Sequence, residues 1–254
     1  MSKSITSIKE ELKAVHSFDD ERLYLYREDQ RKGVQSAILQ TEKRLAKERE
    51  MKEKFQEMLA FENAAYKNRY QFIAGIDEVG RGPLAGPVIA AAVILPKDVE
   101  LLGVNDSKQL SAVKRELLFD EIQNKAVSIG IGLVSHEVID EVNIYEATKI
   151  AMKQAVESLT PRPDFLLIDA MKLDLDIPQE NLIKGDTRSI SIAAASIIAK
   201  VTRDRLMEYY AKDYPGYGFE KNAGYGTKEH LEGIATLGIT PIHRKTFAPI
   251  KDLI

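Results

Sequence analysis

The sequence predicts an α/β fold preceded by a small all-helical segment. From Tyr70 onward, runs of nearly continuous apolar residues alternate with amphipathic stretches, as in a sheet that helices cover on both faces. Residues 1–70 hold one glycine and no proline, and their sparse apolar positions suit helices. The 254 residues leave room for one large domain with a smaller one. We therefore expect a helical extension at 1–70 and an α/β catalytic domain at 71–254.

Composition limits the classes of protein to which the chain can belong. It holds no cysteine, which excludes disulfide frameworks and thiolate chemistry. No apolar run approaches the roughly 20 residues of a membrane span, and the first residues lack the apolar core of a signal peptide. We therefore expect a soluble, cytoplasmic and monomeric protein with no membrane partner. The net charge of −3 means that nucleic-acid binding would need a local basic face.

The extension at 1–70 is slightly basic, with 15 Lys or Arg against 13 Asp or Glu. Helices are predicted at about 4–15, 19–32 and 34–68. The third is rich in charged residues from Glu42 to Glu57, which fits a mostly solvent-exposed helix that packs against the protein through one narrow apolar stripe. The alternative is an accessory module that binds nucleic acid or a partner, because four basic residues cluster between 43 and 49.

The α/β domain reads as short strands separated by helices. Strands are predicted at 73–76, 88–95, 126–134, 165–168 and 182–184. Ser111 can cap a helix that runs to about residue 124. The apolar stripe of that helix comprises Val113, Leu117, Leu118 and Ile122. The remaining helices are predicted as a pair at 135–159 broken near Asn143, one at 191–213 and one at 228–237.

The stretch Phe72–Pro87, FIAGIDEVGRGPLAGP, carries the most chemistry. It begins as a strand, places Asp77 and Glu78 where that strand should end, and turns at its glycines and proline. Two acids followed by Arg81 among glycines suggest a metal site beside a phosphate site. Neighbouring side chains of a strand point to opposite faces, so the two acids share one site only if the strand ends or twists there.

Two nucleotide-binding interpretations of the same stretch are weaker. Gly80, Gly82 and Gly86 lie one residue off the dinucleotide pattern, which is not built around acids. The spacing from Gly75 to Gly80 is that of a P-loop, but Arg81 and Gly82 occupy the positions of the required Lys and Ser or Thr.

Acids recur at the ends of other apolar strands. Asp169 follows the strand at 165–168, and Asp186 follows the short strand at 182–184. Mg²⁺ prefers oxygen ligands and binds through a few carboxylates together with substrate phosphate. Two such ions can support in-line displacement at a phosphodiester. We therefore expect Asp77, Glu78, Asp169 and Asp186 to form one metal site.

The sequence lacks the motifs that other catalytic chemistries require. The chain has no G-x-S-x-G elbow, and its four histidines show no metal-ligand spacing. We expect the histidines at the surface or in helix caps, and His230 and His243 are the two to examine near the site.

Ser107, Lys108 and Lys184 could hold phosphates. Aromatic residues of the glycine-rich loop could stack on a sugar or base, or could simply pack in the core. These aromatic residues are Tyr217, Phe219 and Tyr225.

The motifs together resemble those of bacterial ribonuclease HII, the type 2 ribonuclease H family. The matching segments are GIDEVGRGPLAGPVIAAAVIL, NDSKQLS, LLIDA, IKGDTRSISIAAASIIAKVTRDR, YPGYGF, NAGYGTKEHL and HRKTFAPI, in unbroken order over about 71–251. The resemblance implies a ribonuclease H-like mixed sheet flanked by helices. It also implies cleavage of RNA in RNA–DNA hybrids and nicking 5′ of single ribonucleotides in duplex DNA, which serves ribonucleotide removal. The implied products carry 3′-hydroxyl and 5′-phosphate ends.

The resemblance also assigns residues. The catalytic, metal-binding acids of the family fall on Asp77, Glu78, Asp169 and Asp186, which implies two Mg²⁺ or Mn²⁺ ions in the substrate complex. The loop that reads the 2′-hydroxyl falls on Gly80, Arg81 and Gly82. The tyrosine that stacks on the neighbouring deoxyribose falls on Tyr225, which favours type HII over type HIII. Ser107, Lys108 and Lys184 are the expected backbone contacts.

The chain departs from the shared family region at both ends. Residues 1–70 resemble an extension found in some bacterial members, whereas the N-terminal platform of type HIII should be rich in strands. The chain stops soon after HRKTFAPI, so we expect no tail that carries a sliding-clamp-binding peptide. Two rival functions are a silent hybrid-binding protein and another two-metal nuclease, such as a resolvase. The complete set of acids disfavours the first, and the Gly-Arg-Gly loop with Tyr225 disfavours the second.

Overall fold

The computed structural model describes residues 3–254, and the chain divides into two compact units. One unit ends at Gln56, and the other is Glu57–Ile254. The division of the chain at residue 70, expected from composition, stays a prediction. Among residues 3–254, no helix is long and apolar enough to cross a membrane.

The first unit is helical, as predicted. Its helices are α1 (Ile5–Lys13), α2 (Glu21–Arg27) and α3 (Lys32–Met58). Side chains cap the first two helices, with Ser4 accepting from the amide of Ser7 at 3.1 Å and Asp20 accepting from that of Arg22 at 3.0 Å. Their buried faces form one apolar cluster. It includes Ile8, Leu12, Val15, Leu23, Val34, Ile38 and Leu45.

The predicted third helix, 34–68, is wrong in its length. The chain turns at Leu59, and a separate helix α4 (Ala60–Lys67) follows. The turn lets α4 bury Ala65 in a cluster with Ile73 of the sheet and Ile192. Packing against the sheet therefore interrupts a stretch whose local pattern alone favours one continuous helix.

Within residues 3–254, five strands form one mixed sheet in the order β3-β2-β1-β4-β5. The strands are β1 (Ile73–Val79), β2 (Val88–Ile94), β3 (Ser128–Val134), β4 (Phe165–Asp169) and β5 (Gln179–Leu182). β1 is antiparallel to β2 and parallel to β4, β2 is antiparallel to β3, and β4 is parallel to β5. The fold class predicted from the sequence is confirmed. The strand predicted at 182–184 is wrong, because the pairing with β4 uses Gln179–Leu182 instead.

Helices cover both faces of this sheet. The helices of the second unit after α4 are α5 (Ala112–Lys125), α6 (His136–Glu157), α7 (Ile190–Asp213), α8 (Phe219–Asn222) and α9 (Lys228–Leu237). α6 packs on one face and bends at Asn143, as predicted. α7 packs on the other face, and Gly75 is required there because a Cβ would lie 2.0 Å from the backbone of Ser191.

The helix α5 begins as predicted but packs differently. Ser111 caps it, accepting from the amide of Lys114 at 3.3 Å. Leu118 and Ile122 are buried, but Val113 and Leu117 are exposed, so the predicted apolar stripe is wrong at those two positions. The buried stripe includes Phe119 instead, which turns the helix slightly about its axis relative to the prediction.

Candidate active site

The strand register brings the first predicted acids together. β1 and β4 run parallel with Ile76 paired to Ile168, so the next residues, Asp77 and Asp169, lie side by side. One carboxylate oxygen from each of Asp77, Glu78 and Asp169 lies within 4.8 Å of the others. We call these three side chains the carboxylate cluster.

The predicted end of β1 at residue 76 is wrong. The strand continues through both acids to Val79, and Gly80 turns the chain with a φ of +93°. Asp77 lies beneath α7, whereas Glu78 lies at the rim of the sheet beside Arg81, whose guanidinium approaches within 3.4 Å. Their carboxylate oxygens nevertheless lie within 4.8 Å of each other near the end of the strand, although the regular pairing with β2 continues to Val79.

The carboxylate cluster is electrostatically unfavourable without a cation. Burial raises the pKa of Asp77 well above its ordinary value, and the charges of Glu78 and Asp169 raise it further. Burial also raises the pKa of Glu78, although Arg81 opposes this effect. The Oε2 atom of Glu78 is buried without a hydrogen-bond partner among residues 3–254. A buried acceptor of this kind suits a cation.

Asp186 lies next to the carboxylate cluster in a turn that Asp169 helps to hold. The amide of Gly185 donates to Oδ1 of Asp169 at 2.7 Å. Burial raises the pKa of Asp186 to about 6, and the nearby charges of Asp106 and Asp169 add to the effect. Among the described residues 3–254, the group of carboxylates within 4.8 Å of one another does not extend to Asp186.

Two polar residues of this region escaped the sequence analysis. Asp106 faces Asp186 from the polar loop before α5, and the hydroxyl of Ser196 in α7 lies near Asp77 and opposes the rise of its pKa. Neither lies at the end of an apolar strand, so the pattern that revealed the other acids could not reveal them. Ser107 is buried, with its hydroxyl 3.0 Å from that of Ser196, whereas Lys108 and Lys184 are exposed.

Two buried arginines shape the loop that follows Asp77 and Glu78. Arg244 donates to the carbonyls of Gly80 at 2.5 Å, Arg81 at 3.0 Å and Gly86 at 3.0 Å. Arg203 of α7 donates to the carbonyls of Pro87, Ala85 and Ala223 at 2.8–3.1 Å. Both side chains are fully buried. Five of these six bonds fix the backbone of the 80–87 loop, and the sixth ties Arg203 to Ala223.

Tyr225 lies against the same loop. A Cβ at Gly82 would lie 3.4 Å from Cε1 of Tyr225, so the ring packs beside that glycine. The Tyr225 side chain remains 41% exposed, and Gly82 is exposed as well. The two positions therefore present one continuous surface to solvent.

The other aromatic residues of the glycine-rich loop belong to the core. Tyr217 and Phe219 are buried and stacked with ring centroids 5.4 Å apart, and the Tyr217 hydroxyl donates to the carbonyl of Gly238 at 2.8 Å. They are not placed to stack on a ligand. The expectation that histidines lie at the surface or in caps is wrong for His230 and His243, which are fully buried.

A buried carboxylate also supports the start of α7. Oε1 of Glu62, in α4, accepts from the hydroxyl of Ser189 at 2.6 Å and from the amide of Ser191 at 3.0 Å. Ser189 caps α7 in turn, accepting from the amide of Ile192 at 3.2 Å. No sequence pattern distinguishes Glu62 from the exposed acids of the helical extension.

A mixed sheet with helices on both faces and carboxylates at the ends of neighbouring strands defines the ribonuclease H-like class of nucleases. The ribonuclease H2 structure of Pyrococcus horikoshii shares this fold with a TM-score of 0.61 and 30% identity. The match covers 71% of this chain and 96% of that one.

The family follows from the sequence comparisons. The ribonuclease HII model matches residues 74–250, and the ribonuclease HII N-terminal domain model matches residues 4–66. The ribonuclease HII of Enterococcus faecalis is 66% identical, with 99% of this chain and 98% of the relative covered. That of Leuconostoc mesenteroides is 61% identical, with complete coverage of both chains. The chain therefore belongs to the ribonuclease HII family of hydrolases, endonucleases that act on RNA–DNA hybrids.

The carboxylate cluster fits a divalent cation. Its ligand atoms are oxygens, which hard cations prefer, and Oε2 of Glu78 is a buried acceptor with no partner in the described part of the chain, residues 3–254. The cluster leaves open coordination positions for water and substrate phosphate, since three carboxylates do not fill the shell of such an ion.

Proposed function

We propose that this protein nicks duplex DNA on the 5′ side of a single embedded ribonucleotide as well as cutting longer RNA–DNA hybrids. The products would carry 3′-hydroxyl and 5′-phosphate ends. The observation that carries this proposal is the exposed pair of Gly82 and Tyr225. Gly82 is next in the chain to Arg81, which pairs with Glu78 of the carboxylate cluster. This arrangement supports a role of Gly82 and Tyr225 in reading the sugar near the acids.

We assign the metal-binding role to Asp77, Glu78, Asp169 and Asp186. Two bound Mg²⁺ or Mn²⁺ ions would supply Lewis acidity and orient water for in-line hydrolysis. Asp77 and Asp169 offer their oxygens from the rigid ends of paired strands. Asp186, in a turn bonded to Asp169 through Gly185, offers a fourth carboxylate. Its raised pKa fits a group that becomes fully ionised when a cation binds.

We assign substrate reading to the 80–87 loop and Tyr225. Gly80, Arg81 and Gly82 present backbone groups to the 2′-hydroxyl, the group that distinguishes RNA from DNA. The partly exposed side chain of Arg81 pairs with the largely buried Glu78, so substrate phosphate could compete for the guanidinium. Tyr225 stacks on the deoxyribose that follows the ribonucleotide. Lys108 and Lys184 are exposed and contact backbone phosphates, whereas the buried hydroxyl of Ser107 acts through its bond to Ser196.

The test is a cleavage assay with three matched 5′-labelled duplexes: one with a single ribonucleotide, one long hybrid and one of DNA alone. Each is incubated with Mg²⁺, with Mn²⁺ and with chelator. We expect metal-dependent cutting of the first two, with product ends that ligase and phosphatase treatment identify as 3′-hydroxyl and 5′-phosphate. Cutting of the all-DNA duplex would overturn the 2′-hydroxyl role of the loop. Tight hybrid binding without cutting would favour a silent binder.

A further inference from the structure

Two histidines form a buried pair behind Tyr225. His230 lies in the first turn of α9, and His243 lies in the segment that follows this helix. Their Nε2 atoms are 3.0 Å apart, and both side chains are 0% exposed. Nδ1 of His230 is 2.9 Å from the carbonyl oxygen of Tyr225. On the other side, Nδ1 of His243 is 2.8 Å from the backbone amide of Thr240.

These contacts permit a single arrangement of protons. The amide of Thr240 can only donate, so Nδ1 of His243 must accept and the ring carries its proton on Nε2. That proton points at Nε2 of His230, which therefore accepts. His230 then carries its proton on Nδ1 and donates it to the carbonyl of Tyr225. The chain of donors runs in one direction, from Thr240 through both rings to Tyr225.

The surroundings keep both rings neutral. Tyr217 and Phe219 pack against the pair, with Phe219 edge-on to His230 at 5.1 Å between ring centroids. Burial lowers the pKa of His230, and burial together with the neighbouring His230 lowers the pKa of His243 to about 4. A proton added to His243 would face the amide of Thr240. A proton added to His230 would face the Nε2 proton of His243.

The pair acts on the peptide of Tyr225 and leaves its ring free. The Tyr225 carbonyl also accepts from the amide of Thr227 at 2.7 Å, and the Tyr225 amide donates to the carbonyl of Asn222 at 2.9 Å. The backbone of Tyr225 is thus held through both its amide and its carbonyl, while its ring, which is 41% exposed, packs beside Gly82. Small shifts of this peptide would move the ring relative to the 80–87 loop.

We propose that the ordered His230–His243 pair is a positioning device for Tyr225, and that it contributes to the preference for a single ribonucleotide in duplex DNA. The proposal rests on the proposed role of Tyr225. The two histidines do not touch substrate, and their effect passes through one carbonyl. Loss of the donor to that carbonyl should therefore alter selectivity more than the rate on long hybrids.

The proton arrangement can be read directly in the unmodified protein by ¹⁵N-resolved NMR of the histidine rings. The chain has four histidines, so the spectrum is simple. At pH 7 we expect His230 as the neutral Nδ1–H tautomer and His243 as the neutral Nε2–H tautomer. The reverse tautomers, or a charged ring in either position, would overturn the proposal whatever the variants show.

The functional test compares His230→Leu with His230→Asn. The amide nitrogen of asparagine occupies nearly the position of Nδ1, so the Asn variant can still donate to Tyr225, whereas the Leu variant cannot. The readout is the ratio of kcat/KM on the single-ribonucleotide duplex to that on the long hybrid. We expect His230→Leu to lower this ratio about 2- to 10-fold, the range of one net hydrogen bond, and His230→Asn to restore most of it.

A double variant separates the possible failures. If the pair acts through Tyr225, His230→Leu should leave the ratio unchanged in a Tyr225→Ala background. An additional fall there, or equal losses on both substrates with His230→Leu alone, would refute the positioning role. If Tyr225→Ala by itself leaves the ratio at the wild-type value, the assigned role of Tyr225 fails instead, and the tautomers read by NMR remain a separate result.

Discussion

The two halves of the candidate site differ in how they handle buried charge. The carboxylate cluster brings like charges together, raises the pKa values of Asp77 and Glu78, and leaves Oε2 of Glu78 without a partner among residues 3–254. The 80–87 loop is instead held by two buried guanidiniums whose six hydrogen bonds go to backbone carbonyls. The carboxylate cluster needs a bound cation to balance its charge. The carbonyls of the 80–87 loop already have their hydrogen-bond donors without any ligand.

This difference assigns stability and activity to different residues. Removing a charge from the carboxylate cluster should abolish activity, because a proposed metal ligand is lost. It should not lower stability, because repulsion between the carboxylates is relieved. Removing a guanidinium leaves carbonyls buried without donors, so it should unfold the loop or the domain. Residues that carry out a reaction often destabilise the folded protein, whereas the residues that hold them in place stabilise it.

The largest effect is expected for Asp77→Asn. The change removes one charge from the carboxylate cluster, and we expect cleavage to fall at least about 10²- to 10³-fold. The metal-free variant should unfold in urea at the same denaturant concentration as the wild type or a higher one, because repulsion with Glu78 and Asp169 is relieved. Wild-type cleavage by this variant would remove Asp77 from the metal site.

The next effect concerns stability. Arg244→Met conserves most of the side-chain volume but leaves the carbonyls of Gly80, Arg81 and Gly86 without their donor. We expect a loss of about 3 kcal/mol or more in the free energy of unfolding, measured in urea. The matched control is Arg205→Met, since Arg205 is half exposed in a surface ion pair with Glu116 and should cost less than about 1 kcal/mol. Equal losses for both variants would contradict the structural role of Arg244.

A moderate effect is expected for Tyr225→Ala. Stacking of an aromatic ring contributes about 1–3 kcal/mol, so cutting at a single ribonucleotide should fall about 5- to 100-fold while long hybrids lose less. Tyr209→Ala, at another exposed tyrosine in α7, should leave both rates unchanged. Equal losses on the two substrates would remove the reading role of Tyr225.

The smallest effect is a pH dependence of the metal-free protein. The folded-state pKa of Asp186 is raised from 3.8 to about 6, so the folded state holds this proton more tightly than the unfolded state. Its contribution to stability is therefore full below about pH 3.8 and is lost as pH rises through 6. Asp186→Asn should flatten this part of the curve of unfolding free energy against pH. Identical slopes in both proteins between pH 4 and 6.5 would show that Asp186 does not carry the shift.

The sequence was most informative where local pattern and packing agree. Nearly continuous apolar runs predicted a sheet covered on both faces, the resemblance to ribonuclease HII implied that this sheet is mixed, and strand ends revealed Asp77, Glu78 and Asp169. The break of α6 at Asn143 was also visible, because asparagine tolerates its positive φ.

The residues that escaped prediction are those whose role depends on distant partners. Local sequence gives no sign that Arg203 and Arg244 are buried, because their carbonyl partners are more than 100 positions away in most of their bonds. Glu62 is one acid among many until Ser189 and Ser191 meet it. The turn at Leu59 and the exposure of Val113 likewise follow from tertiary packing, which helical spacing alone does not encode.

The most direct test of the two-part site is substrate discrimination by a protein that cannot cut. Binding of Asp77→Asn to the single-ribonucleotide duplex and to the matched all-DNA duplex would be measured by fluorescence anisotropy with Mg²⁺ present. If reading depends on the preformed 80–87 loop and Tyr225, the variant should still bind the ribonucleotide duplex more tightly, and Tyr225→Ala added to it should reduce that preference. Equal binding of both duplexes by Asp77→Asn would contradict the separation of reading from the carboxylate cluster.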